Sequence, residues 1–388
     1  MAGNKTEYIP WQVVWETTLR CNLNCLHCGS AAGKARPNEL TTEEGVKLIR
    51  DLSEIDAREV CFMGGEPFLR KDWYELGKEV KEQGMEFLVI SNGFNINKDI
   101  ISKLVKLEPY AVSTSLDGGT AKTHDYIRGR KGSFDKVMEY IDLSLDANLP
   151  TTVITTVSKL NVKELPMIKD MILNRSIAWQ IQVATPHGRF TRDLALSREE
   201  YYELGKTIAG FQKEYSRKEL PVIGAHGLGY HSKYIPCLGL YPEFRGCQAG
   251  VTILSIRSDG AVTGCLATQD EYIEGNIRER SIIDIWNDPN AFSYNRKWKK
   301  EYLGENCRDC KHGEVCRGGC LGMSLGLTGK PFNNSYCFYK IEEETICKKI
   351  FIFKNKKLYI AKIVTIITKF NKIVTKNFYT ITVIYIDI

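Results

Sequence analysis

Two periods of apolar residues alternate along the first part of this chain. Short runs rich in Val, Ile, Phe and Thr are each followed by a longer stretch with apolar residues every three or four positions. Gln12–Thr17 is apolar and β-branched and predicts a strand. The next stretch opens on Thr41, which makes a capping-box pattern with Glu44. Val46, Leu48, Ile49 and Leu52 supply its apolar face. Further strands are expected at Glu59–Met63, Glu86–Ser91, Ala111–Leu116, Thr151–Val157 and Trp179–Ala184. The intervening helices are expected at Asp72–Gln83, capped by Asp72, then Lys98–Lys106, Ser133–Asn148, Val162–Leu173 and Arg198–Arg217. Six strand–helix units in a row imply an α/β fold of parallel strands under covering helices, a partial (β/α)6 TIM-type barrel over residues 11–217. Loops after the strands then gather on one face, where barrel enzymes place their chemistry.

After about Pro221 the periods break down. Segments shorten, and cysteines gather. A small cysteine-rich domain is expected over 218–347, organised by metal more than by a large apolar core. Residues 348–388 form a basic tail rich in Ile, Thr, Lys and Phe, read as a disordered extension, with a role at a membrane surface as the alternative.

Charge changes the picture only in that tail. Residues 351–388 hold seven lysines and one acid, Asp387, which is the whole net charge of +6. The other 350 residues carry 46 basic and 46 acidic groups. The body therefore offers no electrostatic case for nucleic acid. The opening MAGNKTEYIPWQ has no apolar h-region, and no run of about 18 apolar residues exists. A cytoplasmic protein with no signal peptide or transmembrane segment is the expectation.

Thirteen cysteines are many for such a chain, and eleven fall into spaced groups, while Cys61 and Cys347 read as ordinary thiols. In a reducing compartment clustered cysteines point to metal. The first group is CNLNCLHC, with Cys21, Cys25 and Cys28 in the loop after the first strand. Three thiolates can hold three irons of a [4Fe–4S] cube and leave the fourth iron open. The competing use is a zinc site completed by His27. The other loops are rich in glycine: Gly64-Gly65-Glu66-Pro67, Ser91-Asn92-Gly93, Asp117-Gly118-Gly119 and Pro186-His187-Gly188-Arg189. Glycine lets the backbone approach a ligand closely.

The cysteine spacing, with His27 before the last cysteine, resembles the radical S-adenosylmethionine (SAM) superfamily. That resemblance implies that SAM is chelated at the open iron and split to a 5′-deoxyadenosyl radical, which abstracts hydrogen from a substrate. Gly64, Gly65 and Glu66 match the family's GGEP motif, which holds the SAM amino group. Asn92 follows strand three, and Ser115 and Asp117 match positions that meet the SAM ribose region. Arg128, in HDYIRGRKGSF, or Arg130 in its place, would face the SAM carboxylate.

The later cysteines run C-x12-G-x4-C from Cys247, then C-x2-C-x5-C-x3-C, a gap of sixteen and a last cysteine. With EGNIRERSIIDIWND, this looks like the SPASM domain of radical SAM enzymes that modify peptides and proteins. The likeness implies two auxiliary four-iron clusters. Cys237, Cys247, Cys265 and Cys320 would hold one, and Cys307, Cys310, Cys316 and Cys337 the other. Cys237 lies outside the seven-cysteine core of that pattern.

CLHCGSAAGKARPNELTTEE is similar to the branch of mycofactocin maturases and haem synthases. Sulfatase-maturating relatives place an aspartate directly after the cysteine matching Cys265, and here that residue is Leu266. A peptide maturase is the first expectation and a tetrapyrrole or small-cofactor enzyme the second. A non-catalytic iron–sulfur protein is the third. The resemblance also implies a reductant such as flavodoxin or ferredoxin. Only ten residues precede Trp11, so a peptide substrate would dock on the barrel or arrive on a separate leader-binding protein. No catalytic acid or base stands out, and His124, His187, Asp193, Tyr230 and His231 are left unassigned.

Overall fold

In the computed structural model, residues 7–345 are described, apart from 226, 229, 241 and 242. Cys347 and the basic tail lie outside the described residues. The strands are β1 Gln12–Thr18, β2 Glu59–Gly64, β3 Glu86–Ser91, β4 Ala111–Ser115, β5 Thr151–Val157 and β6 Ala178–Val183. They pair parallel in sequence order. A short β7, Val222–Gly224, continues the sheet beyond β6, again parallel. At the other edge β8, Ile253–Ile256, pairs parallel with β1, and β9, Ala261–Thr263, and β10, Ile273–Asn276, follow antiparallel. Residues 218–347 thus add four strands to the barrel's own sheet, β7 at one edge and β8–β10 at the other, giving the order β10-β9-β8-β1-β2-β3-β4-β5-β6-β7.

The helices are α1 Thr42–Glu54, α2 Trp73–Glu82, α3 Lys98–Leu107, α4 Ala121–Arg128, α5 Ser133–Asp146, α6 Leu165–Ile172 and α7 Arg198–Glu214. Beyond them lie α8 Ile282–Asn287, two short turns, α9 Ser293–Arg296 and α10 Gly313–Cys316, and finally α11 Leu321–Thr328. The Thr41–Glu44 capping box is made, with Glu44 N donating to Thr41 Oγ1 at 3.2 Å and Thr41 N to Glu44 Oε2 at 2.8 Å. Asp72 stands at the start of α2 but makes no cap bond with its side chain. Thr42 Oγ1 and Arg70 Nη2 claim its carboxylate instead, at 2.7 and 2.8 Å. The alternation does not predict α4, an eight-residue polar helix capped by Thr120 and closed by Gly129 in the left-handed region. Among the described residues no helix is long and apolar enough to cross a membrane.

The strands present two unlike faces. Trp15, Val60, Phe62, Phe87, Val89 and Val112 are buried against the helix layer. Trp15, Phe62 and Phe87 meet edge to face at 5.3 and 5.0 Å. Each such side chain contributes about 1.5–3 kcal/mol by leaving water. Alternate residues on the other face, such as Met63, Ile90, Ser115, Thr156 and Gln182, stay only half-buried. Several of them stand near the strand ends from which the loops with the candidate chemistry leave.

Polar ties hold the C-terminal strands to the barrel. The buried Glu16 carboxylate at the end of β1 accepts from Arg36 Nε at 2.6 Å and from Ser258 Oγ at 3.0 Å. Arg278 grips Glu44 of α1 through two nitrogens, at 2.6 and 2.7 Å.

Candidate functional site

The loop after β1 is held by backbone bonds on three sides. Cys21 N donates to Gly33 O at 2.9 Å. Leu26 N and Asn24 N reach Ile127 O and Arg128 O at the end of α4, at 2.8 and 3.3 Å. From the loop after β6, Arg189 donates to Cys25 O at 2.9 Å and to Ala32 O at 2.7 Å. Cys21, Cys25 and Cys28 are therefore carried on a clamped loop. Leu23 N points at Cys21 Sγ (3.5 Å), Ala32 N at Cys28 Sγ (3.3 Å), and Asn92 Nδ2 at Cys21 Sγ (3.6 Å). Burial raises the pKa of Cys25, while the Arg128 guanidinium draws it the other way. Burial likewise raises that of Cys21. Such partly desolvated thiols ionise readily only beside a cation, and a metal is the strongest available.

The donor set fits an iron–sulfur cube. Three thiols, N–H groups aimed at two of the sulfurs, and the buried, unpartnered Nε of Arg128 suit an anionic cluster. Among the described residues no three His, Cys, Asp or Glu side chains converge closely enough for one metal ion. Zinc, with bonds of about 2.3 Å, needs that tight convergence, whereas a cube spreads its ligands over its corners.

The neighbouring loops interlock around the cysteines. Gly65 passes so close to the β1 loop that a Cβ would stand 2.1 Å from Arg20 O. Gly64 (φ 134°) would place one 2.3 Å from Thr18 O. Glu66 is buried, and its carboxylate accepts from Asn92 N at 2.8 Å, Ser91 Oγ at 3.0 Å and Phe68 N at 3.2 Å. It therefore binds the loop after β2 to the loop after β3. Asn92 in turn donates to Asn22 Oδ1 at 2.7 Å. Asp117 is fully buried, and each of its carboxylate oxygens is taken. Oδ1 accepts from Thr156 N at 2.8 Å, and Oδ2 from His27 Nε2 at 2.8 Å and Arg128 Nη1 at 3.0 Å. Burial opposes its ionisation, but His27 and Arg128 outweigh that and hold the carboxyl well below the usual range. The resemblance assigns Glu66, Asp117 and Arg128 to SAM; the geometry gives the two carboxylates and one face of the guanidinium to the protein. Ser115, half-buried at the end of β4, is on the open face. Arg130 donates to Asn22 O at 2.7 Å and lies over the Phe94 ring.

Burial pushes the Glu66 carboxyl up to about 7, against its three donors and Arg128. A raised carboxyl binds more protons in the folded state, so stability falls as pH rises from the unfolded pKa to about 7. Urea midpoints of the apo-protein are expected to decline over that window in the parent. The decline should be weaker in Glu66→Gln, and an identical slope in both would refute the assignment.

The later cysteines form two sets. Cys247 and Cys320 both act electrostatically on Cys265, and Cys320 on Cys247. Cys307, Cys310 and Cys337 act on Cys316. Cys237 lies before β8, between β7 and Cys247. It is half-buried next to Leu238, whose carbonyl accepts Gly224 N at 2.8 Å. Backbone N–H groups of Ala249 and Leu321 reach Cys247, those of Gly322 and Met323 reach Cys320, and that of Ala267 reaches Cys265. Cys61 has burial without such donors, and its thiol is pushed up to about 12. α11 begins directly after Cys320 and docks on loop six of the barrel. His187 Nε2 donates to Gly322 O at 2.8 Å, and Arg192 Nη1 to Leu327 O at 2.7 Å.

The unassigned histidines and tyrosine have structural bonds. His124 Nδ1 accepts from Asp117 N at 3.1 Å, and burial lowers its pKa to about 4. Tyr230 Oη accepts from Cys320 N at 3.0 Å and Asn334 Nδ2 at 2.9 Å. His231 stacks on His312 at 4.0 Å. Asp193 lies in a short helical turn before α7.

A profile of the radical SAM superfamily matches residues 15–172, and one of an iron–sulfur cluster-binding domain, SPASM, matches 247–311. The Fe-coproporphyrin III synthase of Methanosarcina barkeri is 30% identical over 86% of this chain and 88% of its own length. The chain belongs to the radical SAM superfamily. This radical SAM protein carries a SPASM domain and uses SAM and [4Fe–4S] clusters. The mycofactocin maturase of Mycolicibacterium smegmatis is 28% identical over 84% of this chain and 81% of that protein. SuiB of Streptococcus suis, solved with SAM bound, shares the fold at a TM-score of 0.67 and 17% identity, over 85% of this chain and 77% of that one.

Proposed function

We propose that this radical SAM enzyme oxidatively modifies a ribosomally made peptide. When bound, the cofactors supply a 5′-deoxyadenosyl radical that abstracts one hydrogen atom from the substrate. The chain's own residues position that event. The clamped Cys21–Cys28 loop, Gly64–Glu66 and Asn92 shape the SAM cradle, and Asp117 with His27 and Arg128 fixes its floor. The substrate radical must then lose one electron and one proton for a net oxidation. Cys247, Cys265 and Cys320, joined to the mouth through α11 and His187, would hold an iron–sulfur cluster able to accept that electron. Flavodoxin or ferredoxin would deliver the starting electron.

The observation that carries the peptide reading is the neutral character of the open face. Met63, Ile90, Ser115, Thr156, Gln180 and Gln182 carry no charge. Four arginines near the mouth bond to the protein itself: Arg36 to Glu16, Arg128 to Asp117, Arg189 to Cys25 O and Arg192 to Leu327 O. A polycarboxylate tetrapyrrole calls for cations that pair with its acids, whereas a peptide segment suits amide and hydroxyl groups. The 30% identical Fe-coproporphyrin III synthase supports the second reading, a tetrapyrrole substrate.

The test is substrate-coupled turnover of reconstituted protein with SAM and dithionite. A precursor peptide encoded beside the gene is compared with iron tetrapyrroles that carry acetate and propionate side chains. Peptide that loses hydrogen or a carboxyl group, with one 5′-deoxyadenosine per event, is the expected result. Turnover of a tetrapyrrole alone would overturn the peptide reading.

A further inference from the structure

We propose that the Tyr294 hydroxyl donates a hydrogen bond to the iron–sulfur cluster held by Cys247, Cys265 and Cys320, and so raises that cluster's reduction potential. This rests on the reading of those three cysteines as a cluster site.

Tyr294 belongs to the short α9 turn and packs with Cys247 in the apolar cluster around Leu303, Leu321, Leu325 and Phe332. Its ring meets Tyr272 edge to face at 5.1 Å. Its hydroxyl is buried and has no hydrogen-bond partner. A buried hydroxyl left unpaired costs about 1–3 kcal/mol, so an absent acceptor is the economical account of it. The hydroxyl lies against Gly264, the residue before Cys265. A Cβ on Gly264 would stand 2.2 Å from it and 2.8 Å from Gly250 N. Thus the oxygen sits between the strand that delivers Cys265 and the turn that follows Cys247. A phenol carries its proton at neutral pH and is a hydrogen-bond donor. No cysteine sulfur accepts from it, which leaves a sulfide of the cluster as the acceptor. A donor to sulfur stabilises the extra negative charge of the reduced cluster and favours reduction.

The test uses full-length protein with Cys21, Cys25 and Cys28 all changed to alanine, so that only auxiliary signals remain. Iron content is measured, and the clusters are titrated by EPR with and without Tyr294→Phe. With about eight irons retained, one cluster should shift to lower potential by roughly tenfold in its reduced-to-oxidised ratio, ~59 mV for one electron. The other cluster should not move. Tyr294→His, which keeps an N–H donor, should restore part of the shift. Should Tyr294→Phe lose iron, the parent is examined by pulsed EPR for a strongly coupled exchangeable proton, which Tyr294→His must preserve. Unchanged potentials at full iron content, or no such proton in the parent, would overturn the role of Tyr294. If instead Cys247→Ala with Cys265→Ala costs no iron, the cluster reading itself fails.

Discussion

Alanine at Cys21, Cys25 and Cys28 together should abolish release of 5′-deoxyadenosine from SAM and lower the iron content by about four per chain. The three thiols sit on one loop, and within it only they are soft donors suited to iron. With them gone, no anchor for SAM's open iron remains, so the loss should be total and not graded. The fold should survive. The loop is held by backbone bonds to Gly33, Ile127, Arg128 and by Arg189, none of which uses a cysteine side chain. Cys→Ala removes one sulfur atom at each of two half-buried positions and at the buried Cys25, so the urea midpoint of the apo-protein should move by the equivalent of no more than about 2 kcal/mol. Chromatographic quantification of deoxyadenosine after reduction with dithionite decides the matter. Continued cleavage of SAM by the triple variant would refute the assignment of this loop.

The second large effect is expected at Asp117. Its carboxylate is the shared acceptor for Thr156 N, His27 and Arg128, and the Asp117 and Arg128 side chains are almost wholly buried. Asp117→Asn offers one oxygen and one NH₂ where three donors converge, so one donor always faces another. It also leaves the Arg128 guanidinium without its counter-charge. Removing one partner of such a buried pair costs about 3–5 kcal/mol. The effect reaches the cluster loop, because Asn24 N and Leu26 N are bonded to the carbonyls of Arg128 and Ile127. Less iron should be retained after gel filtration, along with the drop in urea midpoint. Adding Arg128→Met should recover part of the stability, since it removes the uncompensated charge, and additive losses would exclude the pair as the cause. The carboxyl is held below its unfolded pKa, so this stability is present above about pH 3.9 and fades as pH falls towards the folded value.

The sequence by itself determined whatever depends on neighbours along the chain. Strand and helix periods set β1–β6 and most of the covering helices, and a capping residue set the helix start at Thr41. Cysteine spacing marked the metal chemistry, and the loops proposed for SAM stood out as glycine-rich motifs after strands. These signals are local, with a period of two or about 3.6 residues, and need no tertiary information.

Tertiary structure decided the rest. β7 has three residues, and β8, β9 and β10 three or four each, too few for a period to register. Their place comes from pairing, as with Val13 of β1 opposite Leu254 of β8. Helix α4 was hidden by its polarity, though Thr120 and Gly129 bracket it. Asp72 looks like a cap in one dimension, yet Thr42 and Arg70 hold its carboxylate in three. Motif positions did not disclose that Glu66 would face Ser91 and Asn92, or that His27 would share Asp117 with Arg128. Nor did spacing place Tyr294 beside Cys265. Each of these is a contact between residues far apart in sequence, where burial strips away water and leaves a carboxylate or hydroxyl to the donors and acceptors that the fold brings to it.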